Sequence, residues 1–451
     1  MVGLCLCGLL GLWPAAVHAD GPGMRSNRFV FHPRVELGGS YDSNFFRDAD
    51  VELTGPADPV WVITGSGRVE LANRNPSRLG IKLDVGASYR QLFAAGALDP
   101  AEAIGGADHR AAQLDARSGF DGVDGDIDLV FGPRSTFALG VELKGRYSDE
   151  PVNELILPFG YRRLDFEAGP DLRFRPGEDA GSRALEMKLG YRFAMLRFLD
   201  QDPDIGTGPA QKDTHKVRLN TRWNFYPKTA ALFDVQFWVV NQQGGVVDTD
   251  RASTSLSDKD QTPFRFSAGL KGLLTPRLSA TVKLGFANSF NNVGESYQGL
   301  IADTGLEYVL EPWLELRLSY RRTLDDDAFA NYFVMDRFAL AGELALPGRL
   351  QLEARVGVDL TDYSDVGRPV FAVVDRQETT ILGELGLGWH ATDWLALVGN
   401  WKFEDNQSDF CYRLDLRALP CPAAPDADEA LQIDRAEYTR HRLSLILRLS
   451  Y

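Results

Sequence analysis

The sequence predicts an all-β fold: a single transmembrane antiparallel up-and-down β-barrel of about 18 strands. Three observations favour it. Apolar and polar side chains alternate along most of the chain, short turns alternate with long polar loops, and the number of strands so delimited is even. A membrane barrel shows these features because one strand face meets lipid and the other meets the lumen. The competing interpretation, a secreted array of soluble β-sandwiches, does not require connections that alternate regularly in length.

Two segments show the alternation clearly. Between residues 276 and 290 the apolar residues, such as Leu284, share one parity, and polar residues such as Lys283 share the other. Residues 349–362 repeat the pattern. Successive strand side chains point to opposite faces, so each segment presents one apolar and one charged face. An amphipathic helix would need apolar residues three and four positions apart, and these segments lack that spacing.

Eight short connections carry Pro, Gly, Asn or Thr, and nine long ones are polar and mostly acidic, so seventeen connections delimit eighteen strands. The fourth strand is overlong, and its parity slips near Gly122–Gly125, which predicts a β-bulge. The predicted strand cores are 33–45, 60–73, 78–93, 109–131, 135–147, 160–175, 182–198, 213–226, 229–243, 262–274, 276–290, 299–310, 313–322, 332–346, 349–363, 377–389, 393–404 and 434–451.

Closure of the barrel follows from the lipid environment, because an open sheet edge in a membrane leaves backbone groups unpaired. Short turns then lie on the periplasmic side and long acidic loops on the extracellular side. The aromatic residues near strand ends are expected to form girdles at the two membrane interfaces. They are Trp61, Tyr89, Tyr147, Trp223, Phe225, Trp313, Tyr320, Trp389, Trp394 and Trp401.

Composition narrows the function further. The 451 residues include 63 acidic and 48 Lys or Arg side chains, a formal net charge of −15 that argues against a nucleic-acid partner. A hydrophobic content of 44% excludes a disordered chain. Beyond residue 20 no apolar run reaches the ~18 residues that a membrane-spanning helix requires.

The first residues form a separate segment. Residues 1–19 combine an apolar stretch with a small-residue cleavage pattern ending at Ala19, which predicts a secretory signal peptide, although its start lacks Lys and Arg. A buried N-terminal helix is the alternative. With the signal removed, residues 20–451 form the barrel, which we expect in the outer membrane of a Gram-negative bacterium.

The last strand ends on an aromatic residue. Its alternating residues Leu445, Leu447, Leu449 and Tyr451 resemble the terminal signal that the barrel-assembly machinery recognises, with Tyr in place of the usual Phe.

The first strand carries a family resemblance. Residues 31–46 read FHPRVELGGSYDSNFF, in which a Pro leads into an alternating strand that ends in Tyr-Asp-Ser-Asn and an aromatic. This segment resembles the opening strand of the putative β-barrel porin type 2 family. The resemblance implies a barrel of similar size that is often associated with exopolysaccharide loci. It implies a conduit for secreted polysaccharide, with periplasmic polysaccharide-export components as candidate partners.

Three functions are therefore considered. Only about a dozen residues separate the predicted signal from strand one, which leaves no room for a plug domain. An unplugged barrel of this size encloses an aqueous lumen. The leading hypothesis is a porin-like channel for secreted polysaccharide, and the second is a general or solute-specific diffusion porin. The third is a structural or adhesion barrel with a closed lumen, whose acidic loops bind surface partners. In each case outer-membrane lipid and lipopolysaccharide are expected to surround the barrel.

The polar parity of predicted strands five to eight is rich in basic residues, which neighbouring strands would gather on one wall. This predicts a track for anionic solutes, opposed by an acidic arc on strands fourteen to sixteen. The alternative is a wall of cross-strand salt bridges. The candidate track residues are Lys144, Arg146, Arg163, Arg173, Lys188, Arg192, Lys216, Arg218 and Arg222.

Two cysteines remain after the signal, Cys411 and Cys421, both in the longest loop. In an oxidising compartment they are expected to form a disulfide, which either constricts the mouth or only stabilises the loop. The acidic loops offer oxygen ligands that calcium accepts, but such runs are more often solvated loop tips, and we assign no metal site.

No catalytic site or cofactor is predicted. The five histidines after the signal, which are His32, His109, His215, His390 and His441, have no recognisable nucleophile beside them. The glycines form no phosphate-binding loop.

Overall fold

The computed structural model describes most of the chain. The described residues are 23–25, 28–44, 59–74, 76–95, 114, 118–150, 161–176, 184–199, 211–243, 246–247, 254–255, 260–292, 296–325, 332–364, 376–408, 410–413, 418–420, 433–435 and 437–451. The predicted signal peptide lies outside them. No helix in this part of the chain is long and apolar enough to cross a membrane.

Eighteen long strands, numbered β1 to β18 in chain order, form the wall. They are Phe29–Asp42, Val60–Asn73, Leu79–Ala94, Gly119–Phe131, Phe137–Glu150, Tyr161–Phe174, Leu185–Phe198, Gln211–Tyr226, Thr229–Gln243, Phe264–Thr275, Leu278–Asn288, Gln298–Glu311, Leu314–Asp325, Phe333–Leu346, Leu350–Tyr363, Arg376–His390, Leu395–Ser408 and Tyr438–Ser450.

The sheet is closed. Each strand pairs antiparallel with the next in the chain, and β18 pairs with β1 from Arg34 opposite Ser450 to Asp42 opposite Arg442. A two-residue piece, Met24–Arg25, adds to the start of β1 and makes the sheet nineteen-stranded. The predicted up-and-down barrel of eighteen strands is therefore confirmed.

The structure refines two boundaries. β4 begins at Gly119, and its pairing with β3 shifts register at Asp121, one residue before the predicted slip. The extra residue is Asp121, whose carboxylate accepts a hydrogen bond from Arg90 at 2.5 Å. The connection between β6 and β7 is longer than predicted, because β7 begins only at Leu185.

The outer surface of the wall is apolar and carries the predicted aromatic residues. Leu284 is 61% exposed on this surface, whereas the neighbouring Lys283 side chain points to the other face and is 24% exposed. Trp61 and Tyr89 lie towards the long-loop end, and Trp223 and Trp389 lie towards the short-turn end. An apolar exterior between two aromatic girdles is the surface that a bilayer requires.

The seam between the first and last strands is fastened by the residues that end β1. The Asp42 carboxylate is fully buried and accepts hydrogen bonds from Nε and Nη2 of Arg440 at 2.9 and 2.5 Å. Ser43 and His441 exchange hydrogen bonds through Ser43 N–H at 2.9 Å and Ser43 Oγ at 2.7 Å. The buried Asn44 amide donates to the carbonyl of Thr439 at 3.4 Å. We call Asp42, Ser43 and Asn44 the seam clasp.

Candidate functional site: the lumen of the barrel

The lumen-facing parity of the wall is charged along most strands, as the sequence predicts. On β2 to β4, Arg68 reaches two carboxylates at once, Asp84 at 2.8 Å and Asp124 at 2.5 Å. Beside it Lys82 pairs with Glu70 at 3.4 Å. Because adjacent strands bring their inward residues side by side, opposite charges placed at matching registers neutralise each other across the wall.

A buried carboxylate organises the densest part of this network. Asp171 on β6 is 1% exposed, and its oxygens lie 2.5 Å from Arg173 Nε, 3.6 Å from Lys188 Nζ and 3.4 Å from Arg192 Nη2. The opposite residue on β5 is Gly140, where a Cβ would lie only 2.5 Å from the carboxylate. A glycine is needed there because any side chain would displace the hub that three cations share.

Arg192 also donates hydrogen bonds to backbone carbonyls where the pairing between β6 and β7 is interrupted. Pairing between β6 and β7 is interrupted at Gly169 and Pro170, and proline has no N–H to donate. The Arg192 guanidinium donates instead to the carbonyls of Gly169, Pro170 and Tyr191 at 3.1, 2.9 and 2.8 Å. Its Nη2 lies 2.5 Å from Glu142. We infer that Arg192 holds the wall together rather than offering a free charge to solutes.

The nine predicted track residues fall into different environments. Five make ion pairs with carboxylates on their own strand or on a nearby one: Lys144, Arg163, Arg173, Lys188 and Arg192. Arg146 lies in register with Asp124 and Asp165. Lys216 lies 5.9 Å from the ring centre of the buried Trp238. The structure therefore places salt-bridge ladders over much of the predicted track.

Two track residues differ from the others. Arg218 and Arg222 on β8 are exposed, and no described carboxylate lies within ion-pair distance of either. Arg218 has Gly190 and Gln236 as register partners, and neither carries a charge. Arg222 Nε donates to Asn224 Oδ1 at 3.0 Å, and its register partners are Leu232 and Glu186, the second of which lies beyond ion-pair distance.

The acids predicted on strands fourteen to sixteen are mostly matched by bases on the same side of the barrel. Asp359 accepts from Arg337, and Glu384 pairs with Lys402 at 3.1 Å. Glu378 pairs with Arg376 on its own strand. Glu343 and Glu353 lie opposite each other in register, and the Gln351 amide donates to both at 2.8 and 2.9 Å, so part of the predicted acidic arc stays together near the short-turn end.

Among the lumen-facing cations that sequence reasoning missed, three have no described carboxylate within ion-pair distance. They are Lys271 on β10, Arg355 on β15 and Arg442 on β18. All three share the parity of the polar face, so the alternation itself was the available signal. Parity shows which side chains face the lumen. It does not show which residues lie opposite each other on adjacent strands, so it cannot tell which cations pair with a carboxylate.

At the long-loop end, Leu114 from the connection between β3 and β4 packs on the inner face of the wall. Leu114 packs against the inward-facing side chains of Val60, Val62 and Leu92, and all four are nearly fully buried. Ser118 Oγ accepts from Leu92 N–H at 3.0 Å and donates to the Leu114 carbonyl at 2.9 Å. Leu114 therefore lies on the lumen side of the wall.

The described histidines are spread over both faces. His215 lies on the lipid-facing side, with its Nδ1 2.7 Å from the Tyr191 hydroxyl, and His441 packs on Phe403. His32 and His390 share the lumen-facing parity near the short-turn end. His109 lies outside the described residues. The expectation that the chain has no catalytic site stays a prediction.

The predicted disulfide lies largely outside the described residues. Cys411 belongs to a short strand, Phe410–Arg413, and is paired with Leu419, whereas Cys421 is not described. We expect mass mapping of non-reduced peptides from the native protein to find the Cys411–Cys421 cross-link. A maleimide added to intact cells should label neither thiol. Free labelling of both thiols without reductant contradicts the pairing.

Losing the disulfide should leave the barrel folded, since a cross-link that closes so short a loop contributes about 3 kcal/mol of local constraint at most. The double variant Cys411→Ser/Cys421→Ser is the matched test. Its heat-modifiability on a gel should equal that of the wild type.

The residues of the predicted assembly signal face lipid. Leu445, Leu447, Leu449 and Tyr451 are 56%, 40%, 39% and 51% exposed on the outer surface, and β18 pairs with both β17 and β1. Recognition by an assembly machinery stays a prediction.

Three features define the class of protein: a closed wall, an apolar exterior with two aromatic girdles, and a charged interior. The chain is a multi-pass outer-membrane β-barrel.

Comparison with known proteins gives fold likeness alone. No family model matches the sequence, and no curated protein matches it. Among solved structures, the chain is similar to a BenF-like porin from Pseudomonas fluorescens Pf-5, with 12% identity, a TM-score of 0.48 and coverage of 93% of this chain and 99% of that one. Pseudomonas aeruginosa OccK5 (OpdH) gives 13% identity, a TM-score of 0.46 and coverage of 93% and 98%. The outer membrane protein opdK of the same species gives 12%, 0.47, 93% and 99%.

Proposed function

We propose that the barrel is a porin-like channel that conducts passively across the outer membrane and carries a secreted polysaccharide. The observation that supports it is the closed wall of eighteen strands with a charged, water-compatible interior. Barrels of 16–18 strands enclose an aqueous channel. Of the described residues before β1, Met24 and Arg25 pair with β1 along the wall.

The polysaccharide part of the proposal comes from the opening strand. The segment that resembles the putative β-barrel porin type 2 family contains most of β1 and the whole seam clasp, so the Asp-Ser-Asn of its Tyr-Asp-Ser-Asn sequence helps to close the barrel. The motif therefore supports membership of a barrel family and carries no direct information about the polymer.

The lumen favours a charged solute over a neutral one. Neutral sugars are commonly held by exposed aromatic faces, but Trp238, which faces the lumen, is 8% exposed. Its ring is covered by Arg265, 4.7 Å from the ring centre, and approached by Lys216. A general or solute-specific diffusion porin fits this interior as well as a polymer conduit does.

Several partners belong to the same proposal. The barrel-assembly machinery would insert the chain through β18, lipid and lipopolysaccharide would surround the exterior, and periplasmic export components would meet the short turns. A purified barrel that inserts into lipid vesicles containing the assembly machinery, but not after Leu447→Asp and Leu449→Asp, would support the first of these.

Conductance is the first test. We expect the purified barrel to give steady ohmic channels in a planar bilayer, whereas a closed structural or adhesion barrel gives none. A sealed wild-type protein contradicts the proposal outright.

Secretion separates the two transport functions. Deleting the gene should abolish release of an extracellular polysaccharide and leave uptake of small nutrients unchanged. Normal secretion together with slower uptake favours the diffusion porin instead. Conserved polysaccharide genes beside this one would point the same way as a secretion defect.

A further inference from the structure

We propose that five lumen cations bind oxyanion groups of the passing solute and set the selectivity of the pore for anions. They are Arg218, Arg222, Lys271, Arg355 and Arg442, which we call the unpaired cations because no described carboxylate lies within ion-pair distance of them. The inference rests on the proposed conduction and names the class of solute: carboxylate, sulfate or phosphate groups, free or carried by a polymer.

On β8 and β10 two of these cations, Arg218 and Lys271, have small or neutral register partners, whereas Arg222 has Glu186 as its register partner on β7 but lies beyond ion-pair distance from it. Arg218 lies between Gly190 and Gln236, and Lys271 lies between Ala230 and Thr281. Each therefore projects beside residues that leave room around the charge. The nearest inward acid on β9, Asp234, is occupied by Lys283 at 3.5 Å and by the Asn220 amide at 2.6 Å.

On the other side of the barrel the cations are unpaired because the nearby acids already have partners. Arg442 is in register with Asp42, but both carboxylate oxygens of Asp42 accept from Arg440. Arg355 is in register with Glu384, which pairs instead with Lys402. The wall thus keeps a surplus of positive charge at these two positions.

Topology sets the two groups opposite each other. In a closed wall of eighteen strands, β17 lies half a circumference from β8, and β18 is its neighbour. Arg218 and Arg222 on β8 therefore lie across the lumen from Arg442 on β18. β8 ends on the short-turn side at Tyr226, and β18 ends on the same side at Ser450. Arg218 and Arg442 lie the same number of residues before these two strand ends. The two arginines therefore lie at similar depth, and Arg222, Lys271 and Arg355 lie nearer the short-turn end.

This placement outweighs the acidity of the whole chain. The net charge of −15 includes the acidic residues of the long connections, and charges in open solvent are screened within about 8 Å at physiological salt. Charges inside a cleft with low-dielectric walls are screened less, and their field is focused on the solute. Guanidinium groups also present a planar fork that matches carboxylate, sulfate and phosphate oxygens.

The test compares charge removal with charge retention in full-length barrels in planar bilayers. Two variants, Arg218→Gln/Arg222→Gln and Arg355→Gln/Arg442→Gln, remove one group each, and Lys271→Gln is added to the first. The matched control Arg78→Gln/Arg134→Gln removes two exposed cations from short turns. A second control, Arg218→Lys/Arg222→Lys, keeps the charge and alters only the fork.

In a KCl gradient the wild type should favour chloride, and each Gln variant should lower the chloride-to-potassium permeability ratio. A fifth protein that combines the two Gln variants, and so replaces all five cations, should lower this ratio roughly tenfold. The Lys variant and the turn control should keep the wild-type ratio. Polygalacturonate added to one side should block the wild type and block the Gln variants less. Inorganic sulfate, tested separately, distinguishes binding of a free anion from binding of a polymer.

The outcomes separate this inference from the function on which it rests. If the wild type conducts and the Gln variants keep its reversal potential and its block, the unpaired cations do not set selectivity and the inference is overturned. If the wild type does not conduct, the proposed channel itself is wrong. Single replacements, checked for folding by heat-modifiability, provide the same comparison if a double variant fails to assemble.

Discussion

Replacing Asp42 by Ala is expected to destabilise the barrel by about 3–5 kcal/mol, the cost of leaving a buried partner charge uncompensated. Asp42 is fully buried, and Arg440, whose side chain is 14% exposed, gives it three hydrogen bonds. With the carboxylate gone, the Arg440 guanidinium has lost its main acceptor at the seam that closes the sheet. Urea unfolding of the refolded barrel, followed by gel mobility of unheated samples, measures the loss.

The matched control is Asp393→Ala, which breaks an ion pair of similar length with Arg349 on a short turn. There both side chains are exposed, at 78% and 57%, so the expected loss is below about 1 kcal/mol. The double variant Asp42→Ala/Arg440→Met should recover part of the stability, because it removes the stranded charge. Equal losses for Asp42→Ala and Asp393→Ala would show that the seam clasp contributes no more than a surface pair.

The wall could be predicted from sequence, whereas the pairing inside it could not. A period of two residues is a local property, so the alternation around Leu284 gives strand, face and environment from a few neighbours. The clasp depends on register, because Asp42 and Arg440 are separated by 398 positions and meet only when the barrel closes. No local pattern near Asp42 identifies its partner.

The same limit explains the candidate track. Sequence reasoning grouped Arg192 with Arg218, because both are inward-facing bases on adjacent strands. Register places Arg192 beside Glu142 and the hub Asp171, and a proline in β6 exposes carbonyls for it to bind. Arg218 meets Gly190 and Gln236 instead. Arg192 is therefore bound within the wall, whereas Arg218 stays available to solutes in the lumen. Composition alone does not reveal this difference.

The bulge in β4 changes the direction of one side chain and so has a role in packing. The parity slip was visible in the sequence near Gly122, but its purpose was not. The extra residue turns Asp121 inward, where it receives Arg90 at 2.5 Å and Ser88 at 3.3 Å. The bulge thus points the Asp121 carboxylate into the lumen and leaves the outer surface of the strand unchanged.

The assignment of inside and outside has its sharpest test on β11. Leu284→Arg is expected to cost roughly 2–4 kcal/mol, the penalty for a cation facing lipid near the bilayer midplane. Leu284 lies near the middle of its strand, is 61% exposed on the outer surface and has only Ala268 and Ala302 as register partners. No carboxylate or water-filled space is provided there for a guanidinium.

Lys283→Leu, one residue away, should fold normally, because its side chain lies in the lumen. The two acids that Lys283 joins keep other contacts: Asp234 with the Asn220 amide at 2.6 Å and Asp303 with Arg321 at 3.8 Å. Refolding yield and the mobility shift between heated and unheated samples report both variants. Because adjacent strand residues face opposite media, similar damage from the two substitutions would mean that the apolar parity does not face lipid. Greater damage from Lys283→Leu would reverse the assignment for the whole wall.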